Sequence, residues 1–113
     1  MPQLLDETFT LDAARRLTFE TVVEGVDGFR ITHTTRVSDI SRDLADLASQ
    51  TIGPYPQYPD GLLHFIGTMF APVDDQDAPG SGFTHKIGDV VSIRAPELGA
   101  LVNEVVTCDQ ADP

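Results

Sequence analysis

Residues 16–37 read RLTFETVVEGVDGFRITHTTRV, and the fold follows from how this stretch is read. From Arg16 to Glu24 apolar and polar positions alternate, with Leu17, Phe19, Thr21 and Val23 on one face. That two-residue period is the mark of a half-buried strand. Gly25-Val26-Asp27-Gly28 is a four-residue loop with a glycine at each end, and its closing Asp-Gly is hairpin chemistry. Phe29 to Val37 is then the return strand, with Phe29, Ile31, His33, Thr35 and Val37 on one face. His33 shares that face with apolar residues and reads as a structural or partly exposed strand histidine.

Downstream, Ser41 to Gly53 is the only helical candidate. Ser41 is placed to cap the first turn, and Asp43 suits the positive end of the helix dipole. Ile40, Leu44, Leu47, Ala48 and Ile52 form a stripe at three-to-four spacing, and Gly53-Pro54 stops the helix. Residues 54–61 make a proline-punctuated connector whose Tyr55 and Tyr58 are expected to pack on the sheet, with lining a pocket as the alternative. Leu62 to Ile66 is a nearly continuous apolar run, expected to be a strand buried on both faces, with His64 held inside it by a hydrogen bond. Val90 to Ala95 and Ala100 to Val106 are two more strands, separated by Pro96-Glu97-Leu98-Gly99. Residues 1–12 read as a flexible lead-in and residues 109–113 as a polar tail. The expected architecture is mainly β (α+β): about five strands, mostly antiparallel, with one short helix at one side. Such a sheet leaves edges that must be covered or paired.

Composition excludes several roles. Eighteen acidic residues against seven Lys and Arg leave a net charge of −11. Neither a nucleic-acid duplex nor an anionic membrane surface finds the basic patch that it requires. No apolar run reaches the ~18–20 residues that span a bilayer, and the opening MPQLLDETF lacks the features of a signal peptide. Cys108 is the single cysteine, which excludes an internal disulfide and any CxxC metal site and fits a reducing cytoplasm.

Catalytic signatures are sparse. There is no GxSxG elbow, HExxH, GxGxxG or Walker sequence, and Ser81 lies in a flexible Gly-Ser-Gly. Asp74, Asp75 and Asp77 in VDDQDAPGSG (73–82) do not follow the EF-hand spacing, so the segment reads as a solvated acidic loop. Glu20 and Glu24 face outward, four residues apart. Spacing alone therefore specifies no metal site and no catalytic residue. What remains is Gly67-Thr68 at the end of an apolar run, where glycine permits close backbone approach and the threonine hydroxyl can meet a carboxylate or carbonyl oxygen.

Several segments, in order, resemble the C-terminal half of the fumarylacetoacetate hydrolase family. Tyr58-Pro-Asp-Gly-Leu-Leu-His-Phe-Ile-Gly-Thr68 resembles its "P-x-G-x-x-L-x-x-G-T" segment. Phe83, then Gly88-Asp89-Val-Val-Ser-Ile93, then Leu98-Gly-Ala-Leu-Val-Asn103 resemble its "F-x-x-GD-x-V-x-I…LG-x-L-x-N" segment. Val37 to Leu47 resembles the short helix that precedes this region in bacterial members. The likeness covers residues 13–108 and is nearest to the bacterial 2-keto acid dehydratases and acylpyruvate hydrolases.

The resemblance implies part of a mixed β-roll, often dimeric. It also implies a parent activity of metal-dependent hydrolysis, dehydration or decarboxylation of a 2-keto or β-diketo acid. A divalent cation, usually Mg2+, would stabilise an enolate in the complete enzyme. Thr68 would hold a substrate oxygen, with Gly67 beside it. The family's Glu-x-Glu and Asp ligands and its lid are expected upstream of this segment, and no Glu-x-Glu occurs here. The chain is therefore expected to be a C-terminal portion, inactive and without catalytic metal by itself, partnered by the upstream half or a second copy. The rival expectation is a non-catalytic β module that pairs with a partner chain or a second copy of itself.

Overall fold

The computed structural model describes residues 4–55, 57–67 and 71–111. Within them the chain is a mixed α+β fold: an open, four-stranded antiparallel sheet with two short helices. The elements are α1 (Leu11–Arg15), β1 (Thr18–Glu24), β2 (Arg30–Arg36), a 3-10 turn (Val37–Asp39), α2 (Leu44–Thr51), β3 (Val90–Ala95) and β4 (Gly99–Glu104). The spatial order of the strands is β2-β1-β3-β4.

The hairpin forms where the alternation places it. Thr18 pairs with Arg36 and Glu24 with Arg30, and the last pair is tied by an ion pair of 3.2 Å. Gly25 N–H donates to the Phe29 carbonyl at 2.8 Å, and the Asp27 carboxylate accepts Phe29 N–H at 3.1 Å. Gly28 sits at φ +85°, a left-handed conformation that an L side chain resists. The second hairpin pairs Val90 with Glu104 and Ala95 with Gly99. It docks on β1 by antiparallel pairing of Glu20 with Arg94 through Glu24 with Val90.

The registers sort the side chains onto two faces. Phe19, Thr21, Val23, Ile31, Ile93 and Leu101 share one face; Glu20, Val22, Thr32, Ser92, Arg94 and Val102 share the other. β1 has neighbours on both sides, so its Val22 and Val23 are among the most deeply buried residues. The apolar cluster lies at one end of the first face: Ala14, Leu17, Val37 and Ala95, against which Phe9, Phe19, Ile40, Leu44 and Leu98 pack.

Several expectations are corrected, among them the packing of Tyr55 on the sheet, since that side chain is almost fully exposed. Leu62 to Ile66 is not a strand: it carries no regular structure and is exposed, Leu63 and Phe65 to 80% and 83%. Four strands stand where about five were expected, because this run has no ladder partner among the described residues. His64 is accordingly exposed, its Nδ1 3.4 Å from the Thr51 hydroxyl. The lead-in carries helix α1, a single turn too short to show a hydrophobic period, started by Thr10 Oγ1 accepting Ala13 N–H at 3.1 Å. And α2 is capped by Asp43, not Ser41: the Asp43 carboxylate accepts Ala45 N–H, and the helix begins at Leu44. Asp43 also receives Arg15 Nε and Nη2 at 2.7 and 2.9 Å, a two-point contact that ties α2 to α1.

Candidate functional site

Gly67 ends the irregular apolar segment at φ +85° and lines a cavity of about 310 Å³ on the apolar face of the sheet. Phe19, Leu44, Ile66 and Ile93 give this cavity an apolar wall, and Thr21 and Thr35 contribute its hydroxyls. These residues converge because Phe19 and Thr21 alternate inward on β1, Thr35 pairs with Phe19 across the hairpin, and Ile93 pairs with Thr21 from β3. Thr68, the other expected substrate-binding residue, lies outside the described residues. A second cavity, of about 460 Å³, shares Thr35 and Ile66 with the first and is lined also by His33, Arg36, Ser41 and Arg42. Its guanidiniums are already engaged: Arg36 Nε donates to Asp39 at 3.0 Å and Arg42 Nε to Asp46 at 2.7 Å. Ile66 lines both hollows, and Gly67 only the first.

The residues in place do not fit the divalent cation that the resemblance implies. Mg2+ needs oxygen ligands from convergent carboxylates. The Gly67 cavity is lined by no carboxylate, and among the described residues no three His, Cys, Asp or Glu side chains come together to hold an ion.

The Gly88-Asp89 dipeptide has a structural duty. Asp89 is 1% exposed, and its Oδ2 accepts Lys86 N–H at 2.9 Å. Gly88 N–H donates to the Val105 carbonyl and Val105 N–H to the Asp89 carbonyl, each at 2.8 Å, which closes the base of the second hairpin. Gly88 has φ +90°, and a Cβ there would stand 3.0 Å from Val26 Cγ1. Around this buried carboxylate, Lys86 Nζ bridges Asp77 at 2.5 Å and Asp27 at 3.3 Å, with the Asp77 contact chiefly holding the ammonium pKa above its usual value. Phe83 packs between Phe29 and His85, with ring centroids 6.0 and 4.8 Å away. The long loop is thereby drawn onto the first hairpin turn. Sequence reasoning did not single out Asp89 as a buried group; its one signal was a carboxylate directly before an apolar strand.

The acidic loop explains itself without a cation. Asp75 accepts Gly80 N–H at 2.7 Å and Gly82 N–H at 2.8 Å, and these two donors, Gly80 foremost, hold its carboxyl below the usual carboxylate range. Asp77 is occupied by Lys86. Cys108 is exposed and free. Among the described residues, no helix is long and apolar enough to cross a membrane. No family model, curated protein or solved structure matches this chain.

Proposed function

We propose that this chain forms one wall of the substrate site of a cytoplasmic 2-keto acid or β-diketo acid enzyme of the fumarylacetoacetate hydrolase type, and that another polypeptide segment brings the metal. The observation that carries the proposal is the ordered recurrence of the family-like segments from Pro59 to Val106, whose Gly67 borders a cavity with hydroxyl groups and no metal ligand. Thr68 is assigned to hold a substrate carboxylate or carbonyl oxygen. Gly67, without a side chain, lets the substrate approach the backbone. The apolar wall of Phe19, Ile66 and Ile93 suits the carbon skeleton of a keto acid and excludes water from it.

The test supplies the missing part. The chain is produced together with an upstream segment of the same locus that carries a Glu-x-Glu pair. Hydrolysis of acylpyruvates and dehydration of 3-deoxy-2-keto acids are then assayed with Mg2+. Turnover is expected only when both parts are present. Thr68→Ala is expected to lower kcat/KM about ten- to a hundredfold, the loss of one hydrogen bond to a charged oxygen. Unchanged kcat/KM in Thr68→Ala removes the assignment of that residue, and absence of turnover with every such acid removes the reading.

A second reading, a non-catalytic β module that works by pairing with another chain, is favoured by the apolar surface left uncovered. Leu63, Phe65 and Leu101 are all more than half exposed. Under that reading the Gly67 cavity receives a side chain of the partner. Keto acids such as pyruvate would then cause no shift of the Gly67 amide resonance in any assembly.

A further inference from the structure

The geometry points to β4 as an edge that pairs, antiparallel, with β4 of a second copy of this chain. The surface area first shows that something is uncovered. The accessible surface is 8528 Å², whereas a compact chain of 12.2 kDa exposes about 6,000 Å². The radius of gyration is 17.2 Å, against about 13 Å for a compact domain of this length. A standard interface takes roughly 800 Å² from each partner. The excess of about 2,500 Å², spread over the whole chain, exceeds that severalfold.

The two edges of the sheet are not alike. β2 carries Arg30 and Arg36 at its ends, the kind of charge that discourages strand addition. β4 carries no Lys, Arg or Pro, pairs with β3 without a bulge from Ala95–Gly99 to Val90–Glu104, and is exposed at all six residues. Leu101 and Val102, at 62% and 57% exposure, present apolar side chains on both faces of that edge. An exposed edge without such charges is a template for another strand.

The edge is also complementary to itself. A two-fold axis normal to the sheet at Leu101 sets Leu101 opposite its own copy, Ala100 opposite Val102, and Gly99 opposite Asn103. Small residues then meet large ones, and the single charge of the strand, Glu104, extends past the Gly99 end of the opposite copy and away from its own copy. Opposed residues in an antiparallel pair lie on the same face, so the apolar faces of the two copies run on continuously through Ile93 and Leu101. Opposing this, each copy carries a charge of −11, so salt strengthens the association. The pairing holds whether or not the chain serves a keto acid enzyme, because it is read from mass and not from turnover.

The test is sedimentation equilibrium of the whole chain at roughly 0.05 M and 0.5 M sodium chloride. Circular dichroism monitors the fold, and amide hydrogen exchange monitors β4. The expected wild-type species has twice the chain mass, associates more tightly at the higher salt, and protects the amides of Leu101 to Asn103. Leu101→Lys and Val102→Lys should each weaken association at least about tenfold, with an unchanged circular dichroism spectrum, since neither side chain is buried in the single chain. Thr32→Lys, on β2, should leave it unchanged. The proposal is overturned by a wild-type monomer at both salts, which would reserve the edge for a different chain. It is overturned equally by wild-type association in both lysine variants, or by dissociation in Thr32→Lys alone.

Discussion

Asp89 shows how a buried side chain can fix the turn that leads into a strand. Its carboxylate is almost fully buried, accepts Lys86 N–H, and lies behind the glycine that closes the second hairpin. Asp89→Ala leaves that backbone donor unsatisfied and is expected to cost about 1–3 kcal/mol, read as a lower urea midpoint with an unchanged slope. Gly88→Ala forces an L side chain into φ +90° and against Val26, so it is expected to cost about 1–2 kcal/mol in the same measurement. Asp89 escaped recognition in the sequence because a buried and a solvated carboxylate have the same letter. Its hydrogen-bond donor is a main-chain N–H three residues away, and His85 Nδ1 stands 3.7 Å from the same oxygen; neither relation marks the letter as buried.

Among the elements, helix α2 and the acidic loop depend on carboxylates that accept backbone donors. Asp43 starts α2 and grips Arg15 of α1, and Arg15 is the main cause of its lowered pKa. Asp43→Ala is expected to reduce helical circular dichroism, whereas Ser41→Ala leaves it unchanged; a loss in Ser41→Ala instead would contradict the capping seen here. Asp75 gives a pH prediction. Its folded pKa is depressed below the ordinary 3.8, so its contribution is full above that value and is lost as pH falls through the lower folded pKa. The Gly80 and Gly82 amide resonances should therefore hold their positions through pH 3.8 and shift only below it. Movement at the ordinary carboxylate pKa would mean that the loop bonds do not form in solution. The hairpin strands and the helical stripe were legible at this scale because period two and period 3.6 are local signals. The run Leu62 to Ile66 was misread for the same reason: apolarity marks a wish for burial, but a strand also needs a ladder partner, which no local pattern supplies.

At the scale of the molecule, the described residues form an open sheet with a small core at one end, and the chain carries a net charge of −11. Calorimetry of the chain alone with millimolar Mg2+ should show no saturable heat, because no carboxylate lines the Gly67 cavity; a stoichiometric isotherm would refute the proposed division of labour. Acidification toward the isoelectric pH of 4.3 should bring association and turbidity as repulsion vanishes, measured by light scattering. The sequence by itself determined the antiparallel hairpins, the place of the one well-marked helix and the absence of the common catalytic signatures, since each is written in residues a few positions apart. Only the tertiary structure decided the strand order, the exposure of Leu62 to Ile66, the burial of Asp89 and the cavity where Gly67 meets Phe19, Thr35 and Ile93. Those are relations between segments up to some seventy residues apart, set by which backbone edges and apolar faces find one another.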